Sequence, residues 1–294
     1  MLGVLALVAA LFVVAGCGDK ESSDEGGSTA ATGPITGTFN QAAADKVPQA
    51  IKDGGKLVVA TDASYAPNEF YDTDGKTIIG TDADLAAAIG KTLGLQVELK
   101  NATFDSIIPG LVAGKYDVAL SSFTDTKERE KQVDMVTYLT AGTGFYTVAA
   151  DPTEVQTLAD LCGKKVAVQK GTVQQDDVEG QNKKCGSNPI DIQVFTQQTD
   201  VDLALTSGKA QVALADTPVA LYAVKQSEGK LKSTGKNYDT APYGIAVSKK
   251  SGMTDAIQAA VQTLMDNGTY QAILKKWNLT SGEIDESKIN DGVQ

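Results

Sequence analysis

Six short apolar runs set the pattern of this chain: residues 56–61, 96–99, 118–120, 165–168, 192–195 and 211–215. Each stops in polar residues, and a helical pattern begins within a few positions of the stop. Short apolar runs bounded this way are buried strands, and strands alternating with helices make a parallel sheet. The runs fall into two groups of three that repeat one plan without repeating a sequence. An α/β chain of two lobes is therefore expected. Strands near Phe145–Ala150 and Tyr243–Val247 would carry the chain from one lobe to the other and back. Amphipathic helices at 255–264 and 270–277 would then pack on the first lobe.

In an open α/β sheet, ligands gather beyond the carboxyl ends of the strands. The polar stretches after the runs are thus the candidate site. The most informative is 116–130, where a buried strand turns polar at Ser121, Ser122 and Thr124. Asp125 or Thr126 can cap a helix there, with Glu128 placed as in a capping box, and Arg129 falls in its first turn. Hydroxyls, free backbone N–H groups and a guanidinium at one junction suit a small anion or a carboxylate. A surface ion pair of Arg129 with Glu128, Glu130 or Asp134 is the competing reading. Asp82 and Asp84 open another helix and read as helix-start acids rather than as a catalytic pair.

What the chain lacks narrows the chemistry. It has no histidine, which removes Ser-His-Asp and Cys-His catalysis and histidine metal sites. Gly-Lys-Thr occurs at 75–77 and 90–92, but Phe70 and Leu85 stand where a phosphate loop needs glycine. Asp72 to Gly75 starts like a calcium loop without its continuation and reads as a hairpin turn. No metal or cofactor is expected. The formal net charge of −11 argues against nucleic acid as a partner.

Residues 1–16 form an uncharged, mostly apolar stretch followed by Cys17. It is short for a membrane span and suits a signal peptide. Small residues before the cysteine resemble a lipobox, with cleavage before Cys17 and palmitate-type lipid on its thiol, although no Lys or Arg precedes the run. Such a chain would sit on the outer face of the cell membrane. Residues 17–54 would be the lipidated cysteine, a flexible acidic linker and a short helix over 40–52. Cys162 and Cys185 remain as an even pair outside the cytosol, and a disulfide is expected.

From about Gly55 to Trp277 the chain resembles the family 3 solute-binding proteins of amino-acid ABC importers. Four stretches carry the likeness in order: Thr61-Asp62-Ala-Ser-Tyr65-Ala-Pro67, Gly80-Thr-Asp82-Ala-Asp84-Leu85, Ser121-Ser-Phe-Thr124-Asp-Thr126-Lys-Glu-Arg129 and Lys170-Gly171-Thr172-Val-Gln174. The ending Asp266-Asn-Gly268-Thr-Tyr270 with Lys275-Lys-Trp277 is similar to the family's last helix. The resemblance implies a periplasmic-binding-protein-like fold of type II, with lobe one at 55–146 and 246–280, lobe two at 147–245, a tail at 281–294, and the ligand between the lobes.

Carried over by position, the resemblance implies Arg129 on the ligand carboxylate, assisted by Thr124, Ser122 and the N–H groups of Thr172 and Val173. Gln174 would line that helix start. Asp216 would take the α-ammonium with the Ser122 carbonyl, although an N-cap before Thr217-Pro218 also explains it. Tyr65 and Phe104 would sandwich the side chain, unless they are ordinary core residues. Asp62, Ser121 and Gln169 are left to read its far end, and Asn68 could add a polar group there. Asp62 suggests a cationic or amide side chain; Gln169 and Asn68 favour an amide or small polar one. The implied partner is a membrane permease with its ATPase, and the implied state a monomer without catalysis. A cyclohexadienyl dehydratase and a ligand-sensing surface protein are the alternatives on the same fold.

Overall fold

The computed structural model describes residues 35–152 and 154–293. The expected signal segment, Cys17 and the linker lie outside the described residues. The helix expected over 40–52 is two, α1 (Gln41–Ala44) and α2 (Gln49–Gly54), because Pro48 between them cannot continue a helix.

Lobe one begins with β1 (Lys56–Thr61). A small three-stranded sheet follows, made of β2 (Ser64–Tyr65), β3 (Glu69–Tyr71) and β4 (Ile78–Ile79). Then come α3 (Thr81–Leu93), β5 (Gln96–Asn101), α4 (Phe104–Val112), β6 (Val118–Ala119) and the single turn α5 (Lys127–Glu130). The long strand β7 (Val133–Val148) leads into lobe two. There β8 (Lys165–Gln169), α6 (Val173–Asn182), β9 (Asp191–Phe195), α7 (Gln198–Thr206), β10 (Val212–Asp216) and α8 (Thr217–Gln226) repeat the alternation. Strand β11 (Leu231–Ser248) returns, and α9 (Thr254–Asp266) and α10 (Thr269–Trp277) cover lobe one.

One eight-stranded sheet runs through both lobes in the order β5-β1-β6-β11-β7-β10-β8-β9. Within each lobe the neighbouring βα strands are parallel, whereas β7 and β11 are antiparallel to each other. Leu57 and Val59 face α3, α9 and α10, while Ala60 faces α4, so β1 is buried on both sides. Burying a leucine or valine side chain this way contributes about 1.5–3 kcal/mol. This two-sided burial explains why the strands read as apolar runs rather than as alternating ones. Gly94 ends α3 in the left-handed region at φ 72°, where a side chain would be strained.

The crossings lie elsewhere than the sequence suggests. Residues 143–147 of β7 already pair with β10, so this part of β7 belongs to lobe two, not to lobe one up to 146. Tyr243 and Ile245 pair with Leu139 and Val136, so the return strand is in lobe one before residue 246. The passage is at 140–143 on β7 and about 238–242 on β11, where the ladder loses register between Thr234, Tyr238 and Ala241. β7 runs through the boundary unbroken, which hides it in the sequence, whereas on β11 a polar stretch from Lys236 to Thr240 lies at the passage. The tail is held against lobe one: Thr137 N–H donates to the Lys288 carbonyl, and Ser287 is buried. In lobe two, Cys162 and Cys185 form the expected disulfide, with Cα atoms 5.5 Å apart.

Candidate ligand-binding cleft

The parallel strands of both lobes point their carboxyl ends at one narrow cavity of about 10 Å³. From β1 comes Asp62, from the β2–β3 hairpin Tyr65 and Glu69, and from the start of α4 Phe104. The segment after β6 supplies Ser121, Ser122 and Thr124, and α5 supplies Arg129. Across the gap, β8 ends in Gln169, α6 starts at Thr172, Val173 and Gln174, and β10 ends in Asp216. The structure thus brings all the ligand-binding residues expected from the sequence to one cavity and adds Glu69.

Arg129 is aimed into this cleft. Thr126 caps α5 by accepting from the Arg129 N–H at 3.2 Å, so the expected Asp125–Glu128 capping box does not form. The neighbouring acids are taken: Glu130 pairs with Lys127 at 2.9 Å and Glu128 with Lys131. The Arg129 guanidinium donates to the Thr124 carbonyl at 2.8 Å and to the Gly171 carbonyl of lobe two at 3.1 Å. It lies over the rings of Phe104 and Phe123 at 5.4 and 5.3 Å. Burial pulls its pKa down to about 10, against the opposing field of Asp216. Two carbonyls and two ring faces leave it rich in unspent charge, and a carboxylate is its natural complement.

Asp216 occupies the N-cap position of α8, yet its side chain makes no cap bond. Its carboxylate accepts from the Tyr65 hydroxyl at 2.9 Å and the Gln174 amide at 2.8 Å instead. Burial raises its pKa, and these donors with Arg129 oppose the rise. Asp62 accepts from the Phe104 N–H at 2.9 Å and from the Gln169 amide at 3.0 Å. Its pKa is also raised by burial. With Lys170–Asp105 at 2.8 Å, these contacts tie the lobes together around the cavity. Phe104 stacks on Phe123, 4.4 Å between centroids, while Tyr65 turns its hydroxyl to Asp216.

Sequence reasoning missed Glu69. It is 1% exposed, accepting from the Ser121 and Ser122 hydroxyls at 3.1 and 3.2 Å. Behind it lies Asp82, which accepts the Ser122 N–H and the Tyr138 hydroxyl, each at 2.9 Å. Asp82 is therefore no helix cap, and Gly80 holds the cap position; Asp84 meets Lys276 and Trp277 Nε1, both at 2.7 Å. Burial and the Asp82 charge push the Glu69 carboxyl well up, and burial pushes Asp82 up to about 6. Adjacent buried carboxyls resist ionising together, so the Asp82 charge favours the protonated form of Glu69. Ser122 holds them together from a left-handed backbone at φ 51°, a conformation costing about 1–3 kcal/mol and repaid by these bonds. Asn68 does not face the cavity; it is buried behind Ser122 and donates to its hydroxyl at 2.9 Å.

Over residues 57–280 the sequence matches the family described as bacterial extracellular solute-binding proteins, family 3. It is 36% identical over 252 residues to the arginine-binding protein ArgT of Corynebacterium glutamicum, covering 83% of this chain and 81% of ArgT. Among solved structures, an ancestral arginine-binding protein bound to arginine is 38% identical at a TM-score of 0.72, covering 76% of this chain and 98% of that one. The ancestral amino acid-binding protein AncCDT-1, a precursor of cyclohexadienyl dehydratase, is 32% identical at a TM-score of 0.71, covering 78% of this chain and 97% of that one.

Proposed function

Since this chain belongs to the bacterial extracellular solute-binding proteins of family 3, we propose that it captures a cationic amino acid, arginine, and delivers it to the permease of an ABC importer. The observation that carries the choice is the charge balance of the cavity. Asp62, Glu69 and Asp216 line it against the single cation Arg129. A zwitterion consumes one acid and the arginine; a positive side chain consumes the remaining acids. Glu69 thus moves the reading from an amide to a cation, and the arginine-binding names of ArgT and of the ancestral protein support it.

The roles follow the geometry. Arg129, Thr124 and the N–H groups of Thr172 and Val173 take the α-carboxylate. Asp216 and the Ser122 carbonyl take the α-ammonium, with Gln174 and Tyr65 orienting the Asp216 carboxylate. The ring of Phe104 flanks the aliphatic stem. Asp62, Glu69, Ser121 and Gln169 receive the guanidinium. The protein works as a monomer, closes by hinge motion at the two crossing strands, and is tethered by lipid on Cys17. It is a binder, not a dehydratase: incubation with prephenate or arogenate is expected to yield no aromatic product.

Calorimetry against the twenty amino acids tests the reading, with arginine expected tightest and glutamate undetectable. Tighter binding of glutamine or glutamate than of arginine would overturn it. Arg129→Ala is expected to cost about 2–5 kcal/mol of affinity, the range for leaving a buried charge without its partner.

A further inference from the structure

The family match stops at residue 280, yet the chain continues as an ordered strap over residues 283–293. The strap starts beside the crossing strand, where the Thr140 hydroxyl donates to the Gly282 carbonyl at 3.3 Å. It then borders β7: Asn290 N–H donates to the Met135 carbonyl, and the Asn290 side chain accepts the Met135 N–H, both at 2.8 Å. Its last residues turn onto α5. Val293 N–H donates to the Asp125 carbonyl at 3.1 Å, and the Lys127 N–H donates to the Val293 carbonyl at 2.9 Å. Gly292 N–H donates to Glu130 Oε1 at 2.9 Å.

Both ends of the turn carrying Arg129 are therefore stapled by the strap. A helix of four residues has almost no stability of its own, and its first N–H groups have no partner within it. Val293 supplies one such partner. The approach also requires glycine at 292, because a Cβ there would meet Asp125 Oδ1 at 2.6 Å and Glu130 Oε1 at 2.7 Å.

We propose that Asn290, Gly292 and Val293 are positioning residues for ligand binding, holding the α5 turn so that Arg129 is presented to the ligand carboxylate. This rests on the reading of Arg129 as the carboxylate anchor. Without the strap the turn samples other orientations, and the apparent affinity falls by the fraction of time it is misplaced.

The test is a double-mutant cycle read by calorimetry with L-arginine. The chain ending at Ile289 is expected to bind at least about fivefold more weakly than the intact chain, and Gly292→Ala to weaken binding in the same direction. In an Arg129→Ala background the truncation is expected to change affinity by less than about twofold. Losses that simply add would overturn the inference, since a general structural defect does not act through Arg129. Amide exchange without ligand is the second readout: residues 124–130 are expected to exchange faster in both strap variants, with residues 56–61 unchanged. Unaltered protection at 124–130 would overturn the inference whatever ligand is used. If Arg129→Ala alone leaves the affinity intact, the anchor reading fails, a result distinct from failure of the strap.

Discussion

If the cleft takes arginine as proposed, Glu69 is the residue that selects it, and its proton is the handle on it. Without a cation nearby, burial and Asp82 keep its carboxyl protonated well above the usual carboxylate range, and Asp82 itself titrates at about 6. A guanidinium at Glu69 favours the charged form and lowers these values. Between the bound and free values the free protein holds a proton that the complex does not. Binding therefore releases a proton, and affinity for arginine rises with pH until the raised value of the free Glu69 carboxyl is passed. Calorimetry below that value in buffers of different ionisation enthalpy should give a buffer-dependent heat. Glu69→Gln should abolish most of the dependence and weaken arginine more than glutamine. A buffer-independent heat would remove Glu69 from the ligand's surroundings.

At the scale of elements, legibility followed how each residue is carried. Asp62, Gln169 and Asp216 were readable because each sits one step past an apolar run that must be a buried strand. Arg129 was readable through the strand-to-turn junction and its family motif. Glu69 was not, because it lies in the three-residue strand β3, which is too short to show a period. Asp82 hides its partners for the opposite reason: its place in the first turn of α3 explains an acid locally, while Ser122 and Tyr138 are 40 and 56 residues away. The lobe boundary on β7 is not legible in the sequence because the strand runs through it for 16 residues without a break. The disulfide belongs to this scale too. It closes a 23-residue separation in lobe two, and neither cysteine lines the cavity. Cys162→Ser with Cys185→Ser should lower stability by about 3–4 kcal/mol in denaturant unfolding and leave arginine affinity within about twofold. A larger loss of affinity would mean that the bridge shapes the cleft.

At the scale of the whole, the eight-stranded sheet carries both walls of the candidate cleft, and each lobe supplies part of its charge pattern. Lobe one holds Arg129, Asp62 and Glu69; lobe two holds Asp216 and the N-terminus of α6. On the proposed roles neither half meets all the charges of an arginine alone, which would make closure and recognition a single event. The central claim is that the surplus acids of this closed cleft select a positive side chain. Arginine and citrulline have nearly the same shape and differ in that charge, so their affinities compared by calorimetry test the claim most directly. Arginine is expected to bind at least about thirtyfold more tightly, equivalent to about 2 kcal/mol or more for a buried charge left unmatched. Equal or tighter binding of citrulline would contradict it.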